Sequence, residues 1–283
     1  MTGFQEVADR VWVARQEWFD LNVCLVGGAD GLLVVDTQAS GRAARAIVHD
    51  VRALGVGPVT AVFNTHEHFD HTFGNGAFRE AFGAIPIHAH DEAAARTVEA
   101  GERAKQSYDE DPDDPHREEL LETEPVPADH TFSSVRVLDL GDRQVELVHP
   151  GRGHSFGDAV VRIADAEVLL AGDLVEESGP PVYGVDCHPF DWPGSLDVVL
   201  NLLSPGTLVV PGHGAVVDRD FVEEQRDAIA IVAQTIRDLA ASGVPADRAL
   251  ADGDWPFPPQ GLVHAVALGY AALPPAGRSL PLA

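Results

Sequence analysis

Between Asn64 and Asn75 the chain reads NTHEHFDHTFGN, which sets three histidines, a glutamate and an aspartate in the six positions from His66 to His71. A packed core has no use for such density, because each buried imidazole or carboxylate without a hydrogen-bond partner loses free energy. A solvated surface tolerates the residues but gives no reason for the spacing. The preceding stretch VTAVFNT (59–65) is β-branched and apolar, so it reads as a strand that delivers the chain directly into His66. Whatever fold the chain adopts must therefore end a strand on this loop. Ligands of α/β sheets usually sit at such a strand end.

The flanking sequence alternates strands and helices. VWVAR (11–15), LNVCLVGG (21–28) and GLLVVDT (31–37) read as strands separated by Asp and Gly turns. Residues 41–54 place Ala44, Ile47, Val48, Val51 and Leu54 at helical spacing. GAFREAF predicts a short helix after the histidines, and AIPIHA (84–89) another strand. In the second half, VRVLDL (135–140), QVELVHP (144–150), DAVVRI (158–163) and EVLLAGD (167–173) predict a meander. TLVVPGHG (207–214) is one more strand ending in a histidine. Residues 219–243 form an amphipathic helix with Phe221, Ile229, Val232, Ile236 and Leu239 on one face and Gly243 at its end. LVHAVALGYAAL, near the end, is compatible with a short helix. Two similar halves of this kind predict a layered α/β sandwich forming one domain over 1–283. The acidic segment 91–132, broken by Pro112 and Pro115, is either an exposed linker or a helical cap inserted beside the site.

Four apolar strands end on histidine or aspartate. After the first cluster come His154 in HPGRGHSFGD, Asp173 in LLAGD and His213 in VVPGHG. Three of the four stretches have a glycine within a residue or two, which lets the backbone turn or approach closely, so His66, His68, Asp70, His71, His154, Asp173 and His213 can converge at one edge of the layers. Imidazole and carboxylate suit zinc, iron or manganese. The isolated His149, His188 and His264 read better as hydrogen-bonded or surface groups than as ligands.

Composition narrows the partners. Lys plus Arg is 19 against 45 for Asp plus Glu, a formal charge of −26, which repels phosphate backbones and argues against nucleic acid or an anionic membrane as partner. No apolar run is long enough to span a bilayer. Cys24 and Cys187 are too few and too dispersed for a disulfide framework or a cysteine-rich zinc module. The first thirty residues lack the features of a secretory leader, so the expected location is the cytoplasm.

The motifs THEHFDH, GRGHSFGD, AGD and PGHG resemble those of the metallo-β-lactamase-fold superfamily, over a match running from about residue 5 to residue 242. The resemblance implies an αβ/βα four-layer sandwich with two divalent metal ions at one edge, zinc first and iron or manganese as alternatives. It implies one ion held by His66, His68 and His154 and a second by Asp70, His71 and His213, with Asp173 bridging. It further implies a hydrolase in which a bridging hydroxide attacks the carbonyl of a small ester, lactone, thioester or lactam while Asp70 orients the nucleophile or passes a proton. Within the superfamily the later segments look most like the cytosolic metallo-hydrolases near the quinoprotein-relay or SoxH-like group, rather than a typical exported β-lactamase. The full set of five histidines and two aspartates is similar to glyoxalase II and the metal-dependent lactonases. A mononuclear iron oxygenase resembling the persulfide dioxygenases is the alternative of a different class.

Substrate contacts are expected from loops. Trp18 and Phe19 either form an apolar flap over the metals or fold back onto the core. Phe69 must flank the metals because its neighbours are ligands. Tyr183, Asp186 and His188 follow Asp173 and are candidates to line the pocket, with packing the better reading for Tyr183. Lys105 is the only lysine and no basic cluster adjoins a motif, so nothing marks a phosphate or glutathione site.

Overall fold

Period-two alternation along the strands sorts the apolar side chains into three separate cores. Trp12, Ala14, Val23, Leu25, Leu32 and Val34 point one way, while Val11, Val13, Cys24, Val26, Leu33 and Val35, their immediate neighbours, point the other. Strands buried on both faces must be covered on both faces. The computed structural model, which describes residues 3–274, does this with two facing sheets and helices outside each. This is the four-layer αβ/βα sandwich expected from the motifs. The terminal residues of the expected 1–283 domain lie outside the described range.

The first sheet begins with antiparallel neighbours β1 (Gln5–Ala8), β2 (Val11–Arg15), β3 (Asn22–Gly28) and β4 (Gly31–Val35). It continues in parallel through β5 (Val59–Phe63), β6 (Ile87–His90) and β7 (His130–Phe132). Parallel neighbours need crossovers. These are α1 (Gly41–Leu54), then α2 (Phe69–Thr72) with α3 (Asn75–Phe82), then α4 (Asp91–Asp109) with α5 (Arg117–Leu121). The acidic segment 91–132 is thus α4, α5 and the edge strand β7, where the composition left a linker open.

The second sheet is the expected meander, β8 (Val135–Asp139), β9 (Gln144–Val148), β10 (Val160–Ile163) and β11 (Val168–Glu176). A return through α6 (Trp192–Leu202) adds β12 (Leu208–His213) parallel to β11. Then follow α7 (Arg219–Ala241), α8 (Ala246–Asp252) and α9 (Val263–Ala272). Asp218 caps α7 by accepting the Phe221 amide, and Gly243, at φ 77°, lies just beyond its end. No pattern above predicts α6, whose apolar residues Trp192, Leu196, Val199 and Leu200 bury a broad face. Among the described residues no helix is long and apolar enough to cross a membrane.

Edge strand β12 tolerates Pro211, which has no amide proton to give a further strand. Its end is stitched to the first sheet: the Asn22 side-chain amide donates to Pro211 O at 3.0 Å and Gly214 O at 2.8 Å. The C-terminal ends of β5, β11 and β12 are thereby held at one edge.

Phe63 is fully buried between the sheets, one residue before this edge begins. Phe63→Ala is expected to cost about 3–5 kcal/mol of unfolding free energy, measured by chemical denaturation.

Candidate metal centre

The loop after β5 is held by its two asparagines. Asn64 donates to the His71 carbonyl at 3.2 Å and to Asn75 Oδ1 at 3.1 Å, and Asn75 donates back to Asn64 Oδ1 at 2.8 Å. The single turn α2 then turns Asp70 and His71 inward. Glu67, the one acid of the motif outside this convergence, is fully buried. It accepts the Phe156 amide at 3.2 Å and lies 3.0 Å from Ser155 Oγ, tying the first motif to the loop that carries His154. Asp158 completes that tie by accepting the Ser155 amide. Burial, with a smaller contribution from the Glu67 charge, outweighs that hydrogen bond and pushes its carboxyl up to about 7. At β12, a Cβ on Gly212 would overlap the Asp173 carboxylate. The glycine of PGHG is therefore required for Asp173 to reach the centre.

All seven sequence-predicted side chains meet there. His68 Nδ1 lies 3.1 Å from His66 Nε2 and 2.8 Å from His154 Nε2. His71 Nε2 and His213 Nε2 are 3.2 Å apart, with Asp70 Oδ2 at 3.6 Å and 3.4 Å from them. Asp173 stands between the two groups: its Oδ2 is 3.7 Å from His66, 3.4 Å from His154 and 3.3 Å from His213, and its Oδ1 is 3.1 Å from His71. In each of the sets His66/His68/His154, Asp70/His71/His213 and His66/His71/Asp173, the donor atoms fall within 4.8 Å of one another. Glu176, which the motifs did not single out, joins Asp173 and His213 in a further set.

The outer nitrogens fix which way these rings carry their protons. His154 Nδ1 is 2.9 Å from the Val182 carbonyl and His213 Nδ1 is 2.7 Å from the Phe19 carbonyl. Both partners only accept, so both Nδ1 atoms donate. His71 Nδ1 donates to Asp36 at 2.8 Å and His68 Nε2 to Asp186 at 3.3 Å. Thr65 Oγ1 donates to Asp36 and accepts from His66 Nδ1. Every inner nitrogen is then free to present a lone pair to the centre. Lone pairs facing one another at 2.8–3.2 Å repel unless a positive charge lies among them. Asp173 Oδ1 is likewise buried without a hydrogen bond. This donor set fits divalent ions held by the His66 group and the His71 group, with Asp173 placed to touch both.

Without metal, protons fill that role. Burial lowers His71 and His213, but the facing carboxylates together outweigh it, Asp173 first, then Asp36 and Asp70 at His71 and Asp70 at His213; His71 is held well above the usual range and His213 up to about 12. Burial likewise opposes, and Asp186 overcomes it to raise, His68 to about 9. His66, buried and beside His71, is pushed well below its usual value, and burial takes His154 to about 4. Asp70 falls to about 2 because the facing histidines outweigh its burial.

A cleft of about 790 Å³ opens over the centre. Of the candidate pocket residues, Phe19, Phe69 and Asp186 line it. Trp18 does not: it is half-buried and stacks on His116 at 3.8 Å, bracing the Phe19 turn against the α4–α5 segment. The turn neither folds back onto the core nor places both aromatics over the metals. Tyr183 is also outside the cleft, buried against Trp192 at 5.0 Å in the core behind it. His188 faces a separate depression beside Phe156 and Arg152. The two have different causes: Tyr183 packs into the core on Trp192, whereas the turn closed by the Cys187 amide on the Gly184 carbonyl, with the His188 amide on the Gly153 carbonyl, carries His188 to another face. Asp36 and Arg103 were missed. Asp36 follows an apolar strand like the other site residues but carries no motif, and Arg103 reaches the cleft from α4 to contact Asp186 Oδ2 at 2.6 Å.

A sequence model of the metallo-beta-lactamase superfamily matches residues 17–213. The chain is 28% identical over 235 residues to the metallo-beta-lactamase type 2 of Bacillus cereus, a match covering 80% of this chain and 82% of that protein. It is 26% identical over 212 residues to the alpha subunit of the 2,4-dinitroanisole O-demethylase of Nocardioides sp. (strain JS1661), covering 74% of this chain and 56% of that one. Among solved structures, a metallo-beta-lactamase from Pontibacter korlensis aligns with a TM-score of 0.64 at 19% identity, over 80% of this chain and 98% of that chain.

Because His68, His71 and His213 each hold a proton above pH 7 that metals would displace, zinc added to metal-free protein at pH 7 is expected to release about three protons per chain. Apparent affinity should therefore fall as pH is lowered from 8 to 6, followed by calorimetry in buffers of different ionisation enthalpy. Asp36→Asn removes the carboxylate that orients His71 and is expected to weaken binding at the His71 group by about 10–100-fold in the same titration.

Proposed function

The chain belongs to the metallo-beta-lactamase superfamily, and from that premise we propose that it is a binuclear, zinc-dependent hydrolase of a small carbonyl substrate: an ester, lactone, thioester or lactam. One observation carries the reading. Two donor groups lie side by side, and Asp173 reaches both with its two oxygens. When bound, two adjacent divalent ions make water a nucleophile at neutral pH and polarise a carbonyl oxygen.

The protein's own residues supply the rest. Asp36, Asp186 and the Val182 and Phe19 carbonyls hold the ring orientations, so the donors need not reorganise during reaction. Asp70 borders both the cleft and the His71 group. It is placed to orient the nucleophile and to carry a proton toward the departing atom. Phe19 and Phe69, edge to face at 5.8 Å, give the cleft a dry wall for the substrate's apolar part. A volume of about 790 Å³ accommodates a small molecule. The acidic α4–α5 segment contributes a wall through Ala100, Arg103, Ala104 and Tyr108, which supports its reading as a cap beside the site.

Zinc-loaded protein is expected to release protons at constant pH from one class in a panel of lactones, thioesters, esters and β-lactams. Asp70→Ala should lower that turnover by roughly 100- to 10,000-fold, and His68→Ala should abolish it together with one equivalent of bound metal. Silence across the panel from protein carrying two metals would overturn the substrate class.

A further inference from the structure

We propose, resting on the hydrolase reading above, that the substrate is uncharged: a neutral ester or lactone with an aromatic ring or short aliphatic chain, and not a molecule bearing a free carboxylate. The cleft has two apolar lips. Phe19 is 40% exposed, and its carbonyl is hydrogen-bonded to His213, so it stands on the side of the His71 group. Val182 and Val185 are 57% and 53% exposed, and the Val182 carbonyl is hydrogen-bonded to His154, so they stand on the side of the His66 group. Large apolar side chains left in water around a concave site mark the surface that a ligand covers. Tyr108 and Phe69, 5.9 Å apart, continue the first lip inward.

The charges point the same way. Among the residues lining the cleft the carboxylates are Asp70, Asp173, Glu176 and Asp186, and the one guanidinium or ammonium is Arg103. That guanidinium is already engaged, with Nη2 at 2.6 Å from Asp186 and Nη1 at 3.2 Å from Glu99. It braces Asp186, and through it His68, instead of standing free to receive an anion. Beyond the cleft, the formal charge of −26 slows the approach of any anion. Two divalent ions would carry four positive charges, which the four lining carboxylates Asp70, Asp173, Glu176 and Asp186 match, and neither lip offers a substrate carboxylate a free cationic side chain.

The test compares pairs that share a scissile bond and differ in one charge, on the zinc-loaded chain: a penicillin against its methyl ester, and the 4-nitrophenyl monoester of adipic acid against the same ester with its far carboxylate methylated. The neutral member is expected to have a kcat/KM about tenfold higher or more. Calorimetry with 2-naphthylmethanol and 2-naphthoate reads the same preference without turnover. The alcohol is expected to bind about tenfold tighter, and Val185→Asp to weaken it by about tenfold at unchanged metal content. Equal or better handling of the free acids overturns the proposal and leaves hydrolysis standing. Preferential binding of the alcohol with no turnover of either pair retains it and counts against the hydrolase reading. Arg103→Gln loosens Asp186 and is expected to lower turnover of both members of a pair while leaving their neutral-over-anionic ratio in place; a fall in carboxylate binding alone would show Arg103 to be an anion receptor and contradict the assignment.

Discussion

Five imidazole rings point a nitrogen each into one small volume, and they can do so because each outer nitrogen is held by an oxygen. Thr65, Asp186, Asp36 and the carbonyls of Val182 and Phe19 perform this for His66, His68, His71, His154 and His213 respectively. Removing those acceptors would let the rings turn away from one another to relieve their repulsion. With them, the inward lone pairs are an enforced feature of the fold that a cation relieves. Much of the surrounding structure serves this arrangement. The Asn64–Asn75 pair closes the first loop, Glu67 and Asp158 fasten the second to it, Gly212 clears space for Asp173, and Asn22 ties the two sheets at the edge where the strands end.

The same oxygen acceptors join the histidine cluster to the cleft above it. Phe19 and Val182 present apolar side chains to the cleft and backbone carbonyls to metal-facing histidines. Phe19 and Asp20 both have positive φ, 62° and 58°, a conformation that costs free energy in residues with a Cβ. The turn is held there by the ion pair of Arg15 with Asp20 and by the stacking of Trp18 on His116. A change in one lip is thus transmitted directly to one donor group. The α4 helix acts similarly on the other side, through Arg103, Asp186 and His68.

Strand and helix identities were legible wherever period two or 3.6 dominated, as in β2 to β5 and α7. The convergence of the seven side chains was legible too, because each lies at or just beyond the end of an apolar strand, and such ends are visible in a linear pattern. What the pattern lacked was anything decided by a bend. Strand GLLVVDT was expected to run to Thr37, but it stops at Val35 because Asp36 and Gln38 take positive φ, which aims Asp36 at His71. The segment from 177 to 191 has no regular period, so sequence adjacency to Asp173 brought His188 forward as a cleft residue although it faces elsewhere, while Tyr183 packs into the core, the reading preferred for it. Arg103 was invisible for a different reason: a charged residue on an acidic helix looks like any solvated side chain until the helix is placed. Broad burial in α6 hid it as well, since a helix apolar on several sides shows no stripe.

The central claim is that two ions are held side by side and share Asp173. A cobalt(II) titration of metal-free protein, followed by optical and paramagnetic resonance spectra, tests it most directly. Two equivalents should bind per chain and be magnetically coupled, with His213→Ala losing one equivalent and Asp173→Ala losing the coupling. A single equivalent, or two uncoupled ions indifferent to Asp173, would contradict the account.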